Sequence, residues 1–453
     1  MDILLKPSKY NYFYKDEQGD YLMCNFFKGT DSFCKINNKN IDRFNEVINR
    51  KNILLNREDK FISYLYEKGY LIDEKIDEEF RVKSMYYNTV MGDGYSLTIM
   101  PTEQCNFRCK YCYETFEKGK MSKEDQKALL KYIQKCIAHS NRLHISWFGG
   151  EPLLAMDVVE YIMSNVQKMC NLRKIHYSSN ITTNAYLLDA DTFEKLYQFR
   201  VTAYQITVDG LKEQHDSQRV KGDGSGTFDR IMKNLISIRD LPKNKYKFAN
   251  ITVRVNVTKN ILDRLDEFVK YYDDLFGKDE RFNIRFAITD NYGGEQIKDI
   301  EDKLVKGKNI YDKLKEKGIY NNNLVNFADA ISAFEPMNLV CYAAYKNSFT
   351  IGSDLTLYRC TIHFEKSENC LGKILPNGEM EIDTDLNNRW YIKDKLKNPE
   401  CKECFYLPCC YNVSCPLREN VSAFENKCTM RDYKENLGNY LVFLDKKMKF
   451  ETI

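Results

Sequence analysis

Three cysteines stand close together in the run Met100-Pro101-Thr102-Glu103-Gln104-Cys105-Asn106-Phe107-Arg108-Cys109-Lys110-Tyr111-Cys112. A C-x3-C-x2-C spacing lets one loop wrap three corners of a cubane iron-sulfur cluster, whereas a structural zinc site closes with four ligands, commonly as paired C-x2-C. Three thiolates leave the fourth iron open, so a small molecule can coordinate there and receive an electron. A zinc knuckle or a chance cluster is the alternative reading of this spacing. Of the 16 cysteines in 453 residues, nine more fall between Cys341 and Cys428. A reducing compartment keeps thiols free, so such a concentration points to metal binding and not to a disulfide framework. Cys136 lies on the apolar stripe of a helix, and with Cys24, Cys34 and Cys170 it is assigned to packing or to surface thiols.

Stepping outward from the cysteines, 43% hydrophobic and 13% aromatic content describe a folded chain of two or three cored domains. A formal net charge of +3 is too balanced for a nucleic-acid or anionic-membrane partner. Residues 1–9 lack the pattern of a signal peptide, and no stretch has the 18 or so apolar residues of a membrane span, so a cytoplasmic protein is expected.

Residues 10–36 alternate apolar and polar side chains around a turn at Gln18-Gly19-Asp20, and residues 41–75 carry helical spacing: a hairpin, then helices. From about Gly94, β-rich runs alternate with helices: Ser96 to Met100, Leu143 to Phe148, Ile175 to Thr183, Ala203 to Val208, Asn250 to Val257 and Asn283 to Ile288. Six such strands predict an α/β fold, a parallel sheet of βαβ units curved into a partial barrel. A capping box at Ser122 to Asp125 opens one intervening helix. Residues 300–335 read as a polar helical connector, and turns and cysteines dominate from Met337 onward.

Polar segments follow the strands in order: Phe148-Gly149-Gly150-Glu151-Pro152, then Thr182-Thr183-Asn184-Ala185, Thr207-Val208-Asp209-Gly210 with Arg219 beyond, and Val253-Arg254-Val255-Asn256. Paired glycines let a backbone edge approach a ligand closely. Each polar residue could by itself be a sheet-end cap. As a set they sit at the carboxyl ends of strands, where α/β sheets gather ligands.

The C-x3-C-x2-C run, with an aromatic before its third cysteine, resembles the signature of the radical SAM superfamily. The resemblance implies that Cys105, Cys109 and Cys112 hold a 4Fe-4S cluster that reduces S-adenosylmethionine to release a 5'-deoxyadenosyl radical. It also implies that Gly149, Gly150 and Glu151 receive the methionine amino group and that Arg219 neutralises its carboxylate. Thr183, Asn184, Asp209, Arg254 and Asn256 would line the cofactor side. One departure is Ala185, where the family usually has glycine.

Cys341, Cys360, Cys401, Cys404, Cys410, Cys415 and Cys428 resemble a seven-cysteine SPASM domain, which implies two auxiliary 4Fe-4S clusters and three in all. Carried over by motif, Cys401, Cys404, Cys410 and Cys428 would ligate the second, and Cys341, Cys360 and Cys415 the first. Leu355 stands where the pattern has a turn glycine, Cys410 and Cys415 are one residue too far apart, and Cys409 competes with Cys410. No cysteine occurs in residues 331–340. One iron of the first auxiliary cluster would then be open to a substrate thiolate, unless Cys370 or Cys409 fills the vacancy.

The expected organisation is a winged-helix-like leader-peptide recognition domain (1–88), a partial (β/α)6 barrel (94–310), a helical connector (311–336) and a SPASM domain (337–453). The first could instead be a packing extension. The leading expectation is a maturase that forms a thioether between a cysteine sulfur and a carbon of a ribosomally made precursor peptide bound through its leader. It would draw electrons from a donor such as flavodoxin or ferredoxin. A sulfatase-maturating (formylglycine-generating) enzyme and a carbon-carbon peptide cyclase are the other enzymatic readings, and a zinc adaptor the non-enzymatic one.

Overall fold

The computed structural model describes residues 3–17, 19–50, 52–289, 296–305, 327–411, 428 and 430–453. The chain divides into two compact units: Met1–Gly92 with Asn326–Lys346 and Arg389–Ile453, and Asp93–Val325 with Asn347–Asn388. Among the described residues no helix is long and apolar enough to cross a membrane.

In the first unit, β1 (Leu4–Pro7) pairs antiparallel with β5 (Ile53–Leu54) and β6 (Leu71–Asp73). β2 (Asn11–Lys15), β3 (Tyr21–Asn25) and β4 (Gly29–Ile36) form a meander. Gly19, at φ +90°, sits in the β2–β3 turn where the sequence expects it. Helices α1 (Ile41–Ile48) and α2 (Lys60–Glu67) follow, then α3 (Glu78–Val90). The Asp59 carboxylate accepts the Phe61 and Ile62 amides and so caps α2, a contact worth about 1 kcal/mol. Phe44, Val47, Phe61 and Leu65 bury one face of α1 and α2 against Leu5, Met23, Ile36 and Tyr70.

The second unit carries the six expected strands, each end within two residues of its place in the sequence reading: β7 (Tyr95–Ile99), β9 (Arg142–Trp147), β10 (His176–Thr183), β11 (Val201–Thr207), β13 (Asn250–Val257) and β14 (Phe282–Ile288). They pair in parallel in the order β14-β13-β11-β10-β9-β7. The helices between them include α4 (Lys123–Cys136), whose first turn is capped when the Ser122 hydroxyl accepts the Asp125 amide, and α5 (Met156–Arg173). Then come α6 (Ala190–Gln198), α7 (Lys212–Gln218), α8 (Phe228–Arg239), α9 (Lys259–Asp263) and α10 (Leu265–Phe276). Two short strands, β8 (Phe107–Cys109) and β12 (Arg219–Lys221), pair antiparallel outside this sheet. Along the parallel strands Leu97, Ile145, Ile181, Ile206 and Val253 are buried, while Thr98, His144, Asn180, Gln205 and Arg254 alternate with them half-buried on the other face.

Beyond β7 the sheet continues with a segment from the cysteine-rich region. β15 (Ser348–Ile351) runs parallel to β7, and β16 (Thr356–Tyr358), β17 (Cys370–Ile374) and β18 (Met380–Ile382) add on antiparallel, making ten strands. Hydrogen-bonded ladders thus place residues 347–388 in the barrel's unit, within the span expected for a separate C-terminal domain. Most of the expected connector, residues 306–326, lies outside the described residues.

The remaining segments of the first unit include helices Phe327–Ser332, Leu407–Cys410 and Arg431–Met448. Phe26 stacks on Phe334 and meets the edge of the Tyr406 ring. A last strand, β19 (Glu451–Thr452), lies parallel to β4 and makes the sheet order β19-β4-β3-β2, with the Ile453 amide donating to the Lys35 carbonyl at 2.9 Å.

Candidate active site

The chain leaves β7 at Ile99 and reaches Cys105 through a buried segment. Cys109 closes β8, directly opposite Arg219 on β12, and a turn from the Cys109 carbonyl to the Cys112 amide (3.1 Å) brings in the third cysteine. Burial raises all three thiols, pushing Cys105 up to about 12, and the nearby Cys109 raises Cys105 and Cys112 further. Thiols so buried ionise when a cation replaces the proton. Arg219 draws Cys105 and Cys109 in that direction.

Gly149 and Gly150 bring the end of β9 onto the segment before Cys105. A β-carbon on Gly149, at φ +106°, would stand 2.4 Å from the Thr102 carbonyl oxygen, and one on Gly150 2.4 Å from that of Gln104. The fully buried Glu151 does not present its carboxylate to a ligand. One oxygen accepts the Thr183 hydroxyl (2.7 Å) and the Leu153 amide (3.0 Å), the other the Asn184 amide (2.7 Å). Glu151 therefore clamps β9 to β10. The next residue, Asn184, donates to the Asn106 side chain (2.8 Å) and points an N–H at the Cys105 sulfur (3.9 Å). Ala185, in place of the expected glycine, holds φ +60°.

A second network lies across the loop. The Tyr111 hydroxyl donates to Asp209 and accepts from Arg219 Nη1 (2.6 Å) and Asn256 Nδ2 (3.1 Å). The other Asp209 oxygen accepts the Asn256 backbone amide, and Arg254 Nε donates to the Asn256 side-chain Oδ1 (2.9 Å). Ile297, Ile300 and Leu304 pack against the Tyr111 ring. His215 accepts the Asp209 amide at Nδ1 and meets the Thr227 hydroxyl at Nε2; because that hydroxyl donates to the Arg219 carbonyl, Nε2 carries the proton. Burial holds this imidazole well below its ordinary pKa. Arg219 Nε is buried without a hydrogen-bond partner, a donor that suits an anionic group of a ligand.

Every cofactor-side residue read from the sequence falls in one of these two networks. Tyr111, Asn106 and His215 were not singled out as site residues. The signal for Tyr111 was its place before Cys112, whereas nothing in the sequence marked Asn106 as the partner of Asn184.

Residues 99–269 match the Radical SAM superfamily model. That segment carries a radical SAM domain. It is 27% identical over 186 residues to a cysteine-type anaerobic sulfatase-maturating enzyme of Clostridium novyi, covering 39% of this chain and 48% of that protein. It is 25% identical over 244 residues to the radical SAM cyclopropyl synthase TigE of Paramaledivibacter caminithermalis, covering 49% and 48%. The chain thus spans about half the length of these curated relatives. A solved structure of native anSMEcpe with bound AdoMet and the Cp18Cys peptide has a similar fold, with a TM-score of 0.56 and 21% identity over 78% of this chain and 99% of that one. A domain of this kind implies a 4Fe-4S cluster and S-adenosylmethionine, and the three thiols and the Arg219 donor fit them.

Of the other cysteines, Cys401, Cys404, Cys410 and Cys428 come together in the first unit: burial raises Cys401 and Cys410 most, and the neighbouring members of the set raise them further. The Cys404 amide donates to the Cys401 carbonyl (3.1 Å), folding the C-x2-C pair into one turn. Cys409 points elsewhere, into the core near Cys24. Among the described residues no three His, Cys, Asp or Glu side chains close tightly enough to hold a single metal ion. A cubane needs a wider ring of sulfurs than one ion does. Cys360 follows the β15–β16 hairpin of the second unit, where Lys118 ties the cysteine loop to Asp354 (3.1 Å) and the Tyr358 hydroxyl (3.1 Å). Leu355, in the hairpin turn, adopts φ +67°, the conformation for which a glycine was expected. Cys341 belongs to the first unit and Cys370 is an exposed residue of β17 in the second. Cys415 lies outside the described residues.

Proposed function

We propose that this protein is a peptide maturase that joins a cysteine sulfur to a carbon of a ribosomally made precursor. The observation that carries the reading is the presence of two separate thiol sets in one radical SAM chain, one beside an unpartnered guanidinium donor and one of four cysteines. In this reading Cys105, Cys109 and Cys112 hold the first cluster, Arg219 takes the methionine carboxylate, and the Gly149-Gly150 backbone receives the amino group. Asp209, Arg254 and Asn256 hold Tyr111 and the cofactor side in place. When bound, the first cluster and S-adenosylmethionine supply a 5'-deoxyadenosyl radical that removes a hydrogen atom from carbon.

Forming a carbon-sulfur bond takes two hydrogens from the peptide. One leaves on 5'-deoxyadenosine and one leaves as a proton, which leaves one electron; Cys401, Cys404, Cys410 and Cys428 would hold the cluster that takes it up. By the motif, Cys341, Cys360 and Cys415 would hold a first auxiliary cluster, which would leave a place for the substrate thiolate unless Cys370 or Cys409 supplies a further ligand. The β2–β3–β4 sheet is assigned to the leader, since an added strand gains main-chain hydrogen bonds along an edge. A flavodoxin or ferredoxin would deliver the electrons.

Anaerobic incubation of reduced protein and S-adenosylmethionine with a Cys-containing precursor tests this by mass spectrometry. Loss of two hydrogens with loss of thiol alkylation is expected. Loss of two hydrogens with every thiol still alkylatable would favour a carbon-carbon crosslink. The partial similarity to a sulfatase-maturating enzyme favours a second reading, conversion of the cysteine to formylglycine, in which sulfur leaves the product altogether. Cys109→Ser is expected to abolish 5'-deoxyadenosine formation; an unchanged rate would overturn all three.

A further inference from the structure

Lys434 lies in the early part of helix Arg431–Met448, and Cys428 stands just before that helix. Its ammonium donates toward the Cys404 sulfur at 3.9 Å and lies close enough to Cys428 and Cys410 to feel their charge. The same helix begins three residues after Cys428, and its N-cap residue Met430 supplies no side-chain cap to its positive end. Lys395 adds a second positive charge near Cys401 and Cys410. Against these, Glu400 is the acidic neighbour of Cys401.

We propose that Lys434 tunes the reduction potential of the cluster held by Cys401, Cys404, Cys410 and Cys428, raising it so that this cluster takes up an electron. One-electron reduction adds one negative charge to a centre already surrounded by four thiolates. A nearby ammonium stabilises the reduced form more than the oxidised one, and an N–H···S contact withdraws charge from the sulfur in the same sense. In the bond-forming reaction proposed above, this favours passage of the leftover electron to the four-cysteine set. The inference rests on that set holding a cluster.

The test is an EPR-monitored redox titration of anaerobically reconstituted full-length protein, with iron quantified in each variant. Cys404→Ser identifies the signal that belongs to this set. In Lys434→Gln that signal's midpoint is expected to move to more negative potential, and further in Lys434→Glu, while Lys434→Arg stays near the unsubstituted protein and the other signals do not move. Midpoints unchanged in Lys434→Gln with full iron content would overturn the proposal. Loss of the same iron from both Lys434→Gln and Lys434→Arg would overturn it too, making Lys434 a structural contact. If Cys401→Ser and Cys404→Ser lose no iron, the cluster assignment itself has failed.

Discussion

Burying a carboxylate completely is favourable only when its oxygens find donors, and Glu151 has three of them, the Leu153 amide in its own turn and the Thr183 hydroxyl and Asn184 amide at the end of β10. Glu151→Gln keeps the shape but turns an amide N–H toward a backbone N–H. It is expected to cost about 2–4 kcal/mol, read as a lower urea midpoint, and to weaken S-adenosylmethionine binding through Asn184. His215 gives a pH dependence. Its folded-state pKa lies well below the ordinary 6.5 or so, so its contribution to stability is present above that value and is lost as pH falls below it, when the unfolded chain binds a proton that the native imidazole refuses. His144 is shifted in the same direction by burial. Urea midpoints measured between about pH 5 and 7 should fall toward acid, and His215→Gln should flatten part of that slope, because Gln has no proton to gain.

At the scale of elements, two of the side-chain-bearing residues with positive φ stand where glycine was expected. Ala185 and Leu355 hold φ of +60° and +67°, which costs an L-residue about 1–2 kcal/mol. The two substitutions to glycine should nevertheless have opposite signs. Ala185→Gly relieves the strain and loses only a methyl, and a gain of about 0.5–1 kcal/mol is expected. Leu355→Gly also relieves it but removes a side chain that is 3% exposed, and a net loss of about 2–3 kcal/mol is expected. Shifts in thermal midpoint with the same probe would check both. The parallel strands were legible because apolar runs of strand length alternate with helical periodicity, and the Ser122 cap because its chemistry is local. The antiparallel β8–β12 pair was not, since each strand is three residues long and its partner lies more than a hundred residues away. Glu151's role as a clamp was hidden for the same reason: its acceptor geometry depends on β10, which the sequence cannot bring beside it.

At the scale of the molecule, the cysteine-rich region contributes β15–β18 to the barrel's sheet and leaves its four-cysteine set in the other unit. Spacing alone grouped residues 337–453 together because cysteine density rises there, and nothing in that density distinguishes a strand that will pair with β7 from a loop that will not. A chain ending at Asn347 should therefore leave the β7 edge open beside Leu97 and Ile99, and is expected to aggregate on size-exclusion chromatography. Soluble monomer of that truncated chain would show that β7 needs no such neighbour.

The pairing of residues 451 and 452 with β4 sets an order of events during synthesis. The ribosome releases Cys34 and Lys35 early, yet the strand that pairs with them emerges only after the barrel segments, so the newborn sheet waits with one rim bare while the barrel is made. A chaperone that grips extended segments would find its target there during translation and lose it once residues 451–453 dock.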